Sequence, residues 1–356
     1  MNFMGRPTFK SSLSTTGAPL SDQAMKDKII KFLKEWMLPI AMIAGAGSYL
    51  IYHSVDAFKV AGPTLALIVK CLQPLLIFSM LFLSLCKVEP RDLKPHRWHW
   101  WLLLIQGGLF CLFGVGLTVA TQVWGSELAG AKVNWGVLVE SVMLCLICPT
   151  AGAAAVVTRK LGGDVAGITT YTILINLLTA LLVPTIVPLI HPMEGMGFFT
   201  AFSMISAKVF PLLIIPCMAA WLVRYLLPQV HKFLLKFSDL AFYLWAVALA
   251  LAIAMTTKFL AHSVMPIVDL LLIAAVSLVC CAFQFWTGKK IGSMYGRRAG
   301  KESKKITAGQ AMGQKNTVLA IWMAYTFMTP ETAIVGGMYS IWHNIYNSYQ
   351  LRKHNQ

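Results

Sequence analysis

The most regular feature of this sequence is a series of long apolar segments separated by short polar ones. Each apolar segment runs for about 18 residues or more, the length that a helix needs to cross the hydrocarbon core of a bilayer. The pattern predicts an all-α integral membrane protein with ten transmembrane helices. The predicted spans cover residues 36–53, 63–86, 98–120, 137–157, 165–190, 208–227, 240–257, 265–287, 307–328 and 333–350.

Charge decides the orientation of these spans. The chain is 57% apolar and 12% charged, with a net charge of +16. A cytoplasmic N-terminus puts 24 Lys and Arg residues on the cytoplasmic side and only Lys59, Lys132 and Lys258 opposite, as the positive-inside rule requires. We therefore expect both termini in the cytoplasm and a multi-pass protein of the plasma membrane, the inner membrane if the source is bacterial. The basic residues are scattered and accompany no nucleic-acid module, so no nucleic-acid partner is predicted.

The N-terminal segment differs in composition. Residues 1–19 are rich in Ser, Thr and Gly and lack the apolar stretch of a cleavable signal peptide. From Ser21, Ile29, Ile30, Leu33 and Trp36 recur at helical spacing with lysines between them. Residues 1–35 are thus predicted to be a cytoplasmic tail whose amphipathic helix lies on the lipid bilayer. A targeting role for this segment is the alternative.

Two of the predicted spans are interrupted. Pro149 and Thr150 break the fourth span, and glycines and polar residues crowd residues 308–316 of the ninth. Five spans precede a predicted loop at 191–206 and five follow it, so related halves, 36–190 and 207–350, must be inverted in the membrane. Matching breaks in inverted halves indicate a binding site, since freed backbone groups at membrane depth must line a cavity or meet a partner. Ordinary kinks are the alternative. The candidate residues of the second break are Gln310, Gly313, Gln314, Lys315 and Asn316.

Lys315 is the sharpest single feature of the ninth span. A charge near a helix centre costs about 2.5–3.5 kcal/mol on insertion scales and marks a functional site by default. Glu140 and Asp269 are candidate counter-charges, and Gln106 and Thr172 are candidate hydrogen-bond partners. Lys315 is interpreted either as a proton carrier or as a permanently charged lock or anion attractor, and the sequence leaves these alternatives open.

Glu140 lies about 13 Å from the first break, at 1.5 Å per residue of helix. It is predicted either to gate or carry protons, or to reach toward water from an outer vestibule. Cys145 and Cys148 form a C-x-x-C, yet no second pair or nearby His accompanies them, so we interpret them as packing residues. The sequence has no His-rich metal spacing, phosphate-binding loop or nucleophile elbow. No metal, cofactor or enzymatic activity is predicted.

Four stretches of the chain resemble the bile acid/sodium symporter family. They are residues 78–85, 163–166, 313–320 and 340–344. The resemblance, over most of 38–350, implies ten helices in two inverted five-helix repeats, with the broken fourth and ninth helices crossing near the middle. Its members carry bile acids, keto acids, pantoate and other organic acids.

The resemblance also implies two sodium sites, and here the sequence departs from the family. The Ser-Asn pair that follows the first break falls on Ala154 and Ala155, and the fifth-helix positions fall on Ile168 and Thr172. The motif Glu-Thr-Gly-x-Gln-Asn of the family's ninth helix aligns with residues 311–316. Lys315 occupies the position of a Gln that binds sodium in the family. Of the ligands only Thr172, Asn316 and, by looser alignment, Gln106 remain.

These observations predict a carrier of a small or amphipathic organic anion that works by alternating access without sodium. In this hypothesis Lys315 replaces a sodium ion. The alternatives are a sodium- or proton-coupled exporter or exchanger of another solute, and a membrane sensor derived from a carrier that does not transport.

Overall fold

A computed structural model describes residues 36–55, 62–129, 133–192, 195–237, 240–296 and 300–354. Its regular elements there are α-helices and two short 3₁₀ turns, Pro90–Asp92 and Pro330–Thr332. The helices are α1 (Met37–Ser54), α2 (Gly62–Cys86), α3 (Arg97–Ala129), α4 (Trp135–Ile147), α5 (Ala154–Lys160), α6 (Val165–Ile190), α7 (Phe198–Leu213), α8 (Ile215–Leu226), α9 (Pro228–Lys236), α10 (Leu240–His262), α11 (Ile267–Tyr295), α12 (Lys301–Gly313), α13 (Thr317–Phe327) and α14 (Ala333–His354).

The chain divides into two units, residues 1–40 and 41–356. The first unit is described only over residues 36–40, where α1 begins, and the predicted amphipathic helix of the tail lies outside the described residues. The second unit holds the rest of α1 and the other helices.

Six helical stretches of the described chain are long and apolar enough to cross a membrane. They present large apolar side chains outward: Leu104, Leu112 and Val123 of α3 are each more than 60% exposed, as expected for a face turned to lipid. The protein is therefore a multi-pass helical membrane protein, and the count of ten spans stays a prediction. The six stretches are Gly62–Cys86, Arg97–Gly125, Val165–Ile190, Phe198–Leu226, Tyr243–His262 and Ile267–Tyr295.

The predicted loop at 191–206 is wrong in its second half. Helix α7 begins at Phe198, because Ala201, Ile205 and Val209 recur every fourth residue and form a buried stripe. The sixth predicted span therefore starts ten residues too late. Helix α3 also continues past the predicted end at residue 120, through a kink at Trp124 with φ −122° and ψ 25°.

Helices α11 and α12 pack backbone to backbone. A Cβ placed on Gly288 would lie 2.4 Å from the Ala308 carbonyl oxygen, and one on Gly292 would lie 2.4 Å from that of Lys304. These two glycines, four residues apart, give α11 the small-residue face that brings membrane helices into close contact. The packing fixes α12, which leads directly into the second break.

A buried cluster packs α12 against α3 and α6 on another face. Trp98 and Leu102 of α3 meet Tyr171 and Ile175 of α6, with Met312 of α12 among them. All five side chains are at most 2% exposed. The end of α12 is thus surrounded by three helices, and the break that follows it lies in the interior.

Candidate functional site

The two interruptions predicted from the sequence are confirmed, and the structure brings them together. Helix α4 ends at Ile147 and α5 begins at Ala154, while α12 ends at Gly313 and α13 begins at Thr317. Between these ends Thr150 and Lys315 pair as an isolated antiparallel bridge. The breaks of the predicted fourth and ninth spans therefore contact each other through their backbones.

Proline chemistry explains the first break. Pro149 has no N–H and disfavours helical geometry in the residue before it, and Cys148 is accordingly extended at φ −53° and ψ 127°. The freed carbonyl of Pro149 accepts from the backbone N–H of Asn316 at 2.8 Å, and the N–H of Ala151 donates to the Gln314 carbonyl at 2.9 Å. Each break thus satisfies backbone groups that the other exposes, as a nonpolar environment requires.

Side chains reinforce the junction. The Thr150 hydroxyl donates to the Ala311 carbonyl at 2.6 Å, and the Cys148 thiol donates to the Asn316 carbonyl at 3.1 Å. The Asn316 side chain caps α13 by accepting from the Leu319 N–H at 3.2 Å. These contacts give Thr150 and Asn316 roles in holding the junction and assign Cys148 of the C-x-x-C to it as well.

The close approach of α11 to the end of α12 requires a glycine at position 313. The Phe285 ring of α11 lies against it, so that a Cβ on this residue would stand 2.4 Å from the ring. The glycine thereby lets α11 lie directly over the end of α12, and Phe285 forms one wall of the junction.

Lys315 is almost entirely buried, at 2% exposure, and its Nζ donates to the Leu146 carbonyl at 3.1 Å. Neither candidate counter-charge is its partner. Asp269 accepts from the Asn134 N–H at 3.4 Å, and Glu140 is held elsewhere. Among the described residues no ion pair to Lys315 is present. Its ammonium group is therefore bound by a carbonyl at the C-terminal end of α4.

Other side chains donate hydrogen bonds to the backbone carbonyls that neighbour this one at the two breaks. Gln106 Nε2 also donates to the Leu146 carbonyl, at 2.8 Å, and Gln284 Nε2 donates to that of Cys145 at 3.1 Å. The Thr179 hydroxyl donates to Ile147 at 2.9 Å, and the Tyr339 hydroxyl to Gly313 at 2.8 Å. Carbonyls at the C-terminal ends of both interrupted helices thus accept hydrogen bonds from the chain's own side-chain donors.

A series of hydrogen bonds between side chains connects these donors across the helix bundle. The Tyr171 hydroxyl donates to the Gln106 amide oxygen, Gln106 Nε2 donates to Gln284 Oε1 at 3.2 Å, and Gln284 Nε2 reaches the Tyr339 hydroxyl at 3.2 Å. All four side chains are at most 2% exposed. Sequence reasoning named Gln106 but missed Gln284, Tyr339 and Thr179. A lone amide inside the apolar span of α11 was the available signal for Gln284.

The remaining candidates occupy different surroundings. The Thr172 hydroxyl donates to the Ile168 carbonyl of its own helix at 2.9 Å, and Gln310 Nε2 donates to Asn347 Oδ1 of α14 at 3.0 Å. Both amide atoms of Gln314 are buried without a hydrogen-bond partner in the described part of the chain. Gln310 Oε1 also lacks a partner there, but Gln314 is the candidate with both side-chain amide atoms open to a ligand.

Glu140 forms a separate site about 9 Å along α4 from Leu146, at 1.5 Å per residue. Its carboxylate accepts from the Thr329 N–H and hydroxyl, both at 3.0 Å, and from the Thr332 hydroxyl at 2.9 Å, and it pairs with His191 Nε2 at 3.0 Å. The carboxylate thus joins α4 to the connection between α13 and α14 and to the end of α6.

Bilayer-length helices and two interrupted helices that meet at a buried lysine are typical of membrane transporters. Residues 74–263, more than half of the chain, match the Sodium Bile acid symporter family. The chain belongs to this family, whose members are transporters and not enzymes. No curated protein matches the chain. The match ends before α12, so the second break and Lys315 lie beyond the matched residues.

Proposed function

We propose that the protein carries a small or amphipathic organic anion across the membrane by alternating access, independently of sodium. The observation that carries this proposal is the hydrogen bond from Lys315 to the Leu146 carbonyl at the meeting point of the two breaks. An ammonium group on a helix-end carbonyl supplies, from the chain itself, the monovalent positive charge that a sodium ion would bring.

The ligand chemistry of the junction supports sodium independence. Hard cations bind in proteins through several oxygen ligands. Here Ala154, Ile168 and Ala311 contribute apolar side chains at positions where the family resemblance implies ligands, and the helix-end carbonyls accept from Gln106, Gln284 and other side-chain donors. In this proposal amides, hydroxyls and the lysine take the place of the oxygen ligands that a sodium ion would need.

The same arrangement favours an anionic substrate. Lys315 places a buried positive charge at the junction, the N-terminus of α13 adds the positive end of a helix dipole, and Gln314 offers an unpaired amide. In this proposal Lys315, Gln314 and the start of α13 attract the anion, and Thr150, Pro149 and Gly313 hold the junction in place. Proton coupling through Lys315 or Glu140 is the second possibility within transport.

The proposed architecture is a cytoplasmic tail of residues 1–35 followed by two inverted five-helix repeats, residues 36–190 and 207–350. The structure moves the start of the first helix of the second repeat, α7, back to Phe198. Both termini lie in the cytoplasm, as the distribution of Lys and Arg requires. Alternating access then consists of one group of helices rocking against the core formed around the paired breaks.

The deciding experiment is uptake of labelled organic anions, including a bile acid, a keto acid and pantoate, into proteoliposomes. Wild type, Lys315→Gln and Lys70→Gln are compared under sodium, potassium or an imposed pH gradient. Lys70 is an exposed lysine in the apolar helix α2 and serves as a matched control.

We expect uptake by wild type and Lys70→Gln that does not respond to sodium, and loss or sodium dependence of uptake in Lys315→Gln. A wild-type rate that rises steeply with sodium would contradict the role assigned to Lys315. Binding without any uptake would identify a sensor instead, and uptake driven by the pH gradient would identify the proton-coupled alternative.

A further inference from the structure

A groove between α11 and α14 lies outside the paired breaks. Its volume is about 510 Å³, within the range of about 300–1,000 Å³ usual for small-molecule sites. Its lining combines apolar and aromatic side chains with three lysines. The lining includes Leu278, Phe285, Trp286, Tyr346 and the lysines Lys289, Lys290 and Lys305.

We infer that this groove binds one anionic phospholipid, with the phosphate held by the lysines and an acyl chain lying along α11. This site is separate from the proposed substrate site and does not depend on what the carrier transports.

The charge of the groove matches a phosphate. Lys289 Nζ donates to the Tyr346 hydroxyl at 2.9 Å and lies 5.0 Å from the centre of its ring, while Lys290 Nζ lies 4.7 Å from that of Trp286. Within the described residues neither lysine has an ion pair; Lys305 pairs with Glu302 at 3.1 Å. Aromatic and hydroxyl contacts thus orient two ammonium groups without neutralising them.

The position of the lysines matches the depth of a lipid headgroup. Helix α11 has 29 residues, which is about 43 Å of helix and longer than the hydrocarbon core of about 30 Å. Lys289 and Lys290 lie in its last two turns, where the helix leaves the hydrocarbon. On the proposed orientation this end is cytoplasmic, the leaflet in which anionic lipids concentrate and in which basic pockets between helices bind their headgroups.

The apolar part of the groove matches an acyl chain rather than a soluble anion. Leu278 is 45% exposed and Trp286 is 59% exposed, so the groove is continuous with the lipid-facing surface of α11. From Leu278 to Lys289 is about 16 Å along the helix, roughly the thickness of the hydrocarbon of one leaflet. A soluble organic acid would leave this apolar length unfilled.

The groove also contacts the carrier's core. The stem of Lys289 lies against Gly309 of α12, where a Cβ would stand 2.7 Å from its Cγ, and Phe285 separates the groove from Gly313. A bound lipid would therefore stabilise the position of α11 over α12. Lipid occupancy should raise the thermal stability of the folded protein.

Native mass spectrometry of the full-length protein in non-ionic detergent tests the inference, with titrations of dioleoylphosphatidylglycerol, dioleoylphosphatidylcholine and glycerol phosphate. The variants are Lys289→Gln/Lys290→Gln, the charge-preserving Lys289→Arg/Lys290→Arg, and the control Lys301→Gln/Lys353→Gln. The control removes the same charge from exposed positions that do not line the groove.

We expect selective binding of phosphatidylglycerol, weakened about 30-fold in the double Gln variant and retained in the Arg variant and the control. Lys315→Gln should bind this lipid as wild type does, which separates the groove from the substrate site. Equal binding of both lipids, full competition by glycerol phosphate, or unchanged affinity in the double Gln variant would each overturn the inference.

Discussion

Lys315 and Gln106 donate hydrogen bonds to the same acceptor, the backbone carbonyl of Leu146, at 3.1 and 2.8 Å. One donor comes from the break between α12 and α13 and the other from α3. A carbonyl with two lone pairs is thereby saturated at the end of α4. The charged residue of the site and a neutral amide share one anchoring point, so a change in either affects the other.

Removing the amide of Gln106 should destabilise the protein. Gln106→Leu leaves the buried Tyr171 hydroxyl without its acceptor and Gln284 without one donor. We expect a loss of about 1–3 kcal/mol, seen as a lower melting temperature in detergent. Gln122→Leu, at an exposed position of the same helix, is the control and should melt as wild type does. Equal melting of both variants would show that the amide network contributes little.

The contact between Gly313 and Phe285 predicts a sterically intolerant position. In Gly313→Ala the new methyl group meets the Phe285 ring at 2.4 Å, and we expect about 1–3 kcal/mol of destabilisation together with reduced uptake. Adding Phe285→Leu should restore part of both. Gly116→Ala on α3, where no atom lies within 4 Å of the new Cβ, is the matched control. The contact is unimportant if Gly313→Ala behaves like Gly116→Ala.

The carboxylate of Glu140 should stabilise the connection between α13 and α14. Glu140→Gln replaces a charged acceptor of three donors and removes the pair with His191, and hydrogen bonds to charged groups are worth about 1.5–3 kcal/mol each. We expect a clear drop in melting temperature. The control Glu331→Gln also replaces a carboxylate by an amide within that connection and should lower the melting temperature less. A purely proton-carrying role would instead lower transport without changing stability.

The melting temperature of the purified protein should show whether sodium or an organic anion binds to it, without a transport measurement. If Lys315 replaces the ion, exchanging sodium chloride for potassium chloride leaves the melting temperature of the purified protein unchanged. A transported anion at about 100 times its Kd should add about 2.7 kcal/mol of stability. A melting temperature that rises with sodium alone would contradict sodium independence.

The sequence was sufficient to predict the interruptions because Pro149 and the glycines act locally on the backbone. It also singled out Lys315, since a lysine within an apolar span is conspicuous. It did not show that Leu146 would be the lysine's partner, because a backbone carbonyl has no signature in the side-chain pattern. The two carboxylates favoured as counter-charges were the visible acidic residues of the spans, and the fold places both elsewhere.

Helix boundaries were predicted best where apolar runs end sharply. Helix α6 matches its predicted span at both ends, with Asp164 capping its start through the Gly167 N–H at 3.0 Å. The prediction began helix α7 too late because Thr200, Ser203 and Ser206 dilute its first turns, and its buried face at Ala201 and Ile205 is what reveals it. That face depends on tertiary packing, which residue-by-residue hydropathy does not contain.

The pairing of the two breaks has a consequence for biosynthesis. Pro149 and Ala151 find their hydrogen-bond partners at Asn316 and Gln314, more than 160 residues later in the chain. While the first half is being inserted, these backbone groups have to be satisfied by water or by the insertion machinery. The nascent first half is therefore an incomplete structure that matures only when the second half arrives, and truncation before residue 314 should produce a chain that is inserted but degraded.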